Sequence, residues 1–321
     1  MVRAPHPTGG PSDGYRFSQL HIDVARNATD DFNPFHDSVK WRQIQDNPFE
    51  GPIALGFQLE TLLAESVERR RKEEAGDQAV IEMEYPYRRY SFTFAGVVRA
   101  EERVLVDVRP GRIRRGREAK ISHRVALRKQ GRVVVMGQVQ AMAKRPEGLQ
   151  VPDGLPGDLE TLPDGCQTLS GRYFLKNKTL QTSDAKNLLS ASQVSPHHYF
   201  DELEGRALFP DLFPVSLISS ALLEKAVLEG HDLLAQPMVY TSHLFIVDRR
   251  LLRQAVSGDR LSILAEGPTL ETTKAGRGGE TLIQSHYCCL GLLHGKQALF
   301  RAEVRLTSLR DLVRVQDGAR F

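Results

Sequence analysis

The chain has 321 residues, 40% hydrophobic and 26% charged, with a net charge of +3. That length suits two domains, and so small a net charge argues against a global field built for nucleic acid. No run of about 18 apolar residues points to a membrane-spanning helix, and three cysteines without disulfide or metal-ligand spacing fit a reducing cytoplasm.

Residues 1–14 are rich in Pro and Gly and read as a loose tail, neither a signal peptide nor a lipidation site. Next comes "ATDDFNPFHDS", Ala28–Ser38, with two carboxylates, an Asn-Pro turn and a histidine within seven residues. A Pro-stiffened turn can face Asp31 and His36 toward one water, where a carboxylate or imidazole can take a proton. On its own, the stretch is equally compatible with an Asx turn carrying a surface histidine. After "FEGPIALGF", Leu55, Leu59, Leu62, Leu63 and Val67 recur at helical spacing until the charged "ERRRKEE". The Gly56 amide then falls in the first turn of a predicted helix, where N–H groups lack partners and the dipole favours negative charge.

Five strand-like runs follow: "AVIEMEY", "YSFTFAGVV", "RVLVDVRP", "AKISHRVALRK" and "RVVVMGQVQAMA". Residues 15–145 thus form one predicted domain, and the Pro- and Gly-rich residues 146–166 an exposed linker. Residues 167–321 repeat the plan, with Leu217, Ala221, Leu222, Leu223 and Val227 at helical spacing before four strand-like runs. Sliding one half over the other by 162 residues superposes Pro34 on Pro196, His36 on His198, Pro48 on Pro210, Pro52 on Pro214 and Leu55 on Leu217. With one more residue of offset, Ser122-His123 meets Ser285-His286. The pattern predicts a duplicated α+β unit, each copy a long helix wrapped by an antiparallel sheet.

"TDDFNPFH" followed by "FEGPIALGF" resembles the paired motifs of the MaoC-like, R-specific enoyl-CoA hydratase (hydratase 2) family. The resemblance implies a tandem, or double, hotdog fold that hydrates trans-2-enoyl thioesters or dehydrates R-3-hydroxyacyl thioesters. It further implies that Asp31 and His36 are the catalytic dyad and that the Gly56 amide holds the thioester oxygen. Asn33, Pro34, Pro52, Ile53, Ala54, Leu55 and Phe57 would line the substrate. The expected partner is an acyl-CoA or acyl carrier protein thioester, with no metal, cofactor, nucleic acid or membrane, in a monomer or homodimer. Two positions depart from the family pattern: Asp30 replaces a glycine and Leu55 a histidine. A thioester hydrolase on the same fold, or a binding protein without turnover, is the alternative.

In the second copy Gln193 falls on Asp31 and Ile218 on Gly56, so that half is expected to lack activity and to shape the acyl pocket. His197 and His198 have no further ligands at metal spacing. The basic run "RPGRIRRGREAK" is read either as a phosphate or carrier-protein contact or as a solvated hairpin. Cys288 and Cys289 are read as packing residues, and His123 and His286 as equivalent strand positions.

Overall fold

Apolar spacing decides the two central helices. The computed structural model describes residues 14–74, 84–116, 118–275 and 280–318. Gly56–Glu74 forms α2 of the numbering used below, and Phe57, Leu59, Leu62, Leu63 and Val67 on it are all at most 3% exposed. Before it come β1 (Tyr15–Arg16) and α1 (Gln19–Thr29), and after it β2 (Tyr87–Phe94), β3 (Arg103–Val108), β4 (Arg112–Arg114), β5 (Lys120–Lys129) and β6 (Arg132–Met142). Along β5 the buried positions Ile121, His123, Val125 and Leu127 alternate with outward positions, the period of a sheet with one covered face.

The second half repeats this order. It holds β7 (Gln167–Thr168), β8 (Tyr173–Thr179), α3 (Thr182–Ala191), the small hairpin β9 (Phe200–Asp201) and β10 (Arg206–Ala207), and α4 (Leu212–Ser216). The central helix α5 (Ile218–Leu228), β11 (Met238–Asp248), α6 (Arg249–Leu252), β12 (Arg260–Ala275), β13 (Glu280–Leu293), β14 (Gln297–Ser308) and α7 (Leu309–Gly318) follow. No helix among the described residues is long and apolar enough to cross a membrane.

Among the described residues the halves share one antiparallel sheet of twelve strands, ordered β1-β3-β5-β6-β2-β11-β14-β13-β12-β8-β7, with β4 paired to β5. The joint is β2 against β11, from Thr93↔Ser242 to Tyr87↔Asp248. On the helical side α1 packs on α3, and the Gln58 side-chain amide donates to the Ala191 carbonyl at 2.8 Å. A buried ionic cluster also crosses the joint. Glu68 on α2 accepts from Arg71 at 2.5 Å and Arg88 at 3.3 Å, and Arg249 lies 3.9 Å away. Arg249 in turn meets Asp211 at 3.0 Å, to which the Tyr90 hydroxyl donates at 2.7 Å. Burial opposes ionisation of Glu68, yet the three guanidinium groups hold its carboxyl far below the usual carboxylate range.

Several sequence expectations change here. The segment 146–166 is exposed only in part: Gln150, Asp153 and Gly154 face solvent, but Leu149 and Leu159 are 1% exposed and pack with Leu175, Leu264 and Leu292 beside the sheet. Its leucines, spaced too irregularly to show a period, anchor it there. The helix–strand pairs α1/β1 and α3/β8, which precede each Pro turn, were not read from the sequence. Most of "AVIEMEY" lies outside the described residues, and its last two, Glu84 and Tyr85, are not in a strand. His123 and His286 are not equivalent: His123 on β5 shares the helix-facing side with Val125 and Leu127 and meets Glu74 on α2 at 3.1 Å, whereas His286 on β13 lies on the face opposite the core residues Tyr287 and Cys289 and meets Glu271 on β12 at 3.0 Å.

Replacing Glu68 by Ala leaves Arg71 and Arg88, both at most 1% exposed, without their shared carboxylate. The expected destabilisation in urea unfolding is about 3–5 kcal/mol, the cost of orphaning buried charge. A loss below about 1 kcal/mol, the range of solvent-exposed pairs, would contradict that picture.

Candidate active site

The turn that holds Asp31 and His36 is fixed by its own side chains. Helix α1 ends at Thr29, and Asp30 caps it in the left-handed region (φ 52°). Short polar residues visit that region at least cost. The Asp30 carboxylate points away from the turn, accepting from Lys178 on β8 at 2.5 Å. The Asp31 amide donates back to the Arg26 carbonyl at 2.9 Å, and Asp31 Oδ1 accepts the Asn33 amide at 2.8 Å. Asn33 Oδ1 then accepts the Phe35 amide at 3.1 Å, opening the short 3-10 turn Pro34–His36. These are successive Asx turns, with Pro34 supplying the fixed φ.

His36 is 5% exposed and Asp31 4%. His36 Nδ1 lies 2.8 Å from the Ile53 carbonyl, which can only accept, so Nδ1 carries a proton and Nε2 is the basic nitrogen of the neutral ring. Burial pushes the His36 pKa below its ordinary 6.5, against the opposing pull of the Asp31 carboxylate and the Ile53 carbonyl. The ring is therefore neutral at pH 7. The same carbonyl ties the turn to the segment leading into α2: the Ile53 amide donates to the Phe35 carbonyl at 3.0 Å and the Ala54 amide to the Val98 carbonyl at 2.8 Å. Gly56 is the first residue of α2, so its N–H has no partner within the helix. A Cβ there would sit 3.1 Å from Phe94 Cζ, closer than a side chain is comfortably received.

These residues border a groove of about 730 Å³. Asn33, His36, Ile53, Ala54 and Gly56 line it. Asp31, 4% exposed, stands next to the lining residues, its charge acting on His36 and on Tyr240. Pro34, Pro52, Leu55 and Phe57 do not line the groove; Leu55 and Phe57 are 1% exposed in the core. The first turn of α2 directs Phe57 inward and the segment entering it directs Leu55 inward, which residue spacing within the motif did not reveal. Arg99, Lys129 and Arg132 stand among the groove's lining residues, whereas the described part of the run 109–120 does not; Arg117 lies outside the described residues.

The second half also contributes. Tyr240 of β11 lines the groove, and beside it His243 is 1% exposed, with Nδ1 2.8 Å from Glu60 Oε1 on α2. Glu60 is itself fully buried, and burial raises its pKa against the pull of His243. Sequence reasoning missed all three. Glu60 and His243 lie 183 positions apart, and only the pairing of β2 with β11 brings them together. Among the described residues, no group of three or more His, Cys, Asp or Glu could hold a metal ion.

The counterpart in the second half is closed. The left-handed residue there is Gln193 (φ 57°), and the Val194 amide donates to the Leu189 carbonyl at 2.9 Å, as Asp31 does to Arg26. Val194, not Gln193, therefore occupies the place of Asp31, correcting the uniform 162-residue register. The turn is one residue shorter before Pro196, so the offset is 163 in the helix and 162 after it. His198 is exposed where His36 is buried. The Tyr199 hydroxyl donates to Glu65, and a cavity of only about 100 Å³ remains beside Tyr199, Asp211 and Arg249.

No protein-family model and no curated protein matches the chain. Solved structures resemble it in fold. One, described as a MaoC-like dehydratase, is 12% identical over 92% of this chain and 96% of its own, with a TM-score of 0.56. A putative MaoC domain protein dehydratase from Chloroflexus aurantiacus is 11% identical over 92% of each chain, with a TM-score of 0.56. A conserved hypothetical protein from Mycobacterium tuberculosis, described as having a double hotdog fold, is 11% identical over 94% of this chain and 95% of its own, with a TM-score of 0.54. This chain has the double hotdog fold.

Burial raises the Glu65 carboxyl to about 7, with Glu68 and Asp211 adding to the shift against the Tyr199 hydrogen bond. The folded state thus holds the proton more tightly than the unfolded chain. That contribution is full below the unfolded value of 4.5 and is lost as pH rises through about 7. Glu65→Gln is expected to remove this loss. Relative to the native chain its Tm should gain roughly 2–4 °C between pH 4.5 and pH 8 for each kcal/mol recovered. Parallel Tm–pH curves for the two proteins would contradict the assignment.

Proposed function

We propose that the chain hydrates trans-2-enoyl thioesters, or dehydrates the corresponding R-3-hydroxyacyl thioesters, at the site of its first half. The observation that carries this reading is the His36 ring. Its Nδ1 is engaged by Ile53, its Nε2 is the basic nitrogen, and it lines one groove with Gly56 at the start of a 19-residue helix.

Hydration needs a base for the water, a donor for the thioester oxygen and a proton for C2. Asp31 and His36 share a water. One of them takes a proton as the water oxygen bonds to C3, and the π electrons move toward the thioester carbonyl. The resulting enolate oxygen is held by the Gly56 N–H at the positive end of α2. The proton removed from water then passes to C2, restoring the carbonyl and the resting dyad, so atoms and charge balance without a cofactor. The second half, with its own turn shortened and filled, serves as a wall of the acyl pocket. Arg132 at the groove is suited to meet the phosphates of coenzyme A or an acidic carrier protein, and Arg99 and Lys129 would join it by exchanging their pairing with Glu50 and Glu102.

The test follows loss of the conjugated enoyl-thioester absorbance with CoA and carrier-protein substrates. Asp31→Asn and His36→Ala are each expected to lower kcat/KM by about 10²–10⁴ with the fold retained. The acid limb of the native kcat/KM profile should lie below pH 6.5, because burial depresses His36. Full activity in both variants would reject the dyad, and release of free thiol in place of a 3-hydroxy product would indicate hydrolysis.

A further inference from the structure

Strand β11 does more than join the sheet. Its pairing with β14 slips between Tyr240, opposite Leu306, and Ser242, opposite Arg305, so Thr241 is an extra residue. A bulge of this kind bends the strand and re-aims a side chain. Here Tyr240 comes to line the first half's groove alongside Asn33, His36 and Gly56. Its ring meets the edge of His243 at 4.4 Å and 74°. His243 is itself fixed by Glu60 and stacked on Phe57 at 5.1 Å. The phenol is held, not free to swing.

The hydroxyl lies 3.3 Å from Ser219 Oγ on α5. If Ser219 donates to the phenol oxygen, the phenol proton remains for the groove, since a tyrosine hydroxyl has one donor and acceptor lone pairs. Burial raises the Tyr240 pKa, and the Asp31 carboxylate raises it further. The phenol thus keeps its proton, and it stands within the field of the carboxylate assigned to water activation.

We propose that Tyr240 is a further catalytic residue, donating a hydrogen bond to the oxygen at substrate C3, so that the second half completes the first half's site. This rests on the hydratase reading given above. In the hydration direction the phenol orients the attacking water, and in dehydration it holds the departing hydroxyl. No proton leaves the phenol in either direction.

The test uses the full chain with Tyr240→Phe, which keeps the ring and removes only the hydroxyl. Two measurements are made: kcat/KM on enoyl thioesters, and calorimetric binding of two unreactive CoA thioethers of equal length, one with a 3-hydroxyl and one without. The expected result is a fall in kcat/KM of about 10–100-fold, chiefly in kcat, and about tenfold weaker binding of the 3-hydroxy thioether alone. Ser219→Ala should give a smaller loss in the same direction. If the native chain hydrates its substrate and Tyr240→Phe matches it in both measurements, the Tyr240 role is overturned while the hydratase reading stands. If the native chain turns over no enoyl thioester, that reading fails. Equal affinity of the native chain for the two thioethers, or binding of neither, would then overturn the Tyr240 role as well. Equal loss of affinity for both thioethers in the variant would mark Tyr240 as packing only.

Discussion

The pairing of β2 with β11 is the constraint on which the rest of the molecule depends. Seven residue pairs, from Thr93↔Ser242 to Tyr87↔Asp248, turn two helix-wrapping sheets into one. Once this register is set, side chains on β11 must meet α2 and side chains on β2 must meet the second half. His243 reaches Glu60 in one direction, and Tyr90 reaches Asp211 in the other. Each half is finished by residues of its partner, so neither groove can be understood from one half alone.

Within that shared frame the two sites have diverged by small steps. One residue fewer between the left-handed cap and the Pro turn puts Val194 where Asp31 stands and leaves His198 at the surface. The vacated space is taken by Tyr199 on Glu65 and by the Arg249–Asp211 pair. These groups form part of a buried ionic cluster with Glu68, Arg71 and Arg88. Retention of the second half then has a physical reason. It closes the sheet, it carries the partners of the buried charges on α2, and it brings Tyr240 to the open groove.

What the sequence revealed was local or repeated. The central helices followed from leucine spacing, and most strands from alternation along them. The duplication followed from prolines, whose positions are constrained because they cannot be moved within a turn. The "DFNPFH" and "GPIALG" segments disclosed His36 and Gly56, which line one groove. What stayed hidden depends on contacts between distant positions. Glu60 looks like any polar residue in a helix until β11 supplies His243. Tyr240 looks like an ordinary strand residue until the slip at Thr241 turns it. The shortened second turn was also hidden, because a single deletion leaves the downstream prolines in register. Leu149 and Leu159 gave no period, so their anchoring of the segment 146–166 went unread.

The most direct measurement is a structure of the chain with an unreactive 3-hydroxyacyl thioether in place of the substrate. The expected result is one ligand per chain in the first half's groove, its carbonyl oxygen on the Gly56 amide and its 3-hydroxyl among Asp31, His36 and Tyr240. A ligand seated instead beside Tyr199 and Asp211, or one whose carbonyl lies away from Gly56, would contradict the central claim that the first half holds the active site.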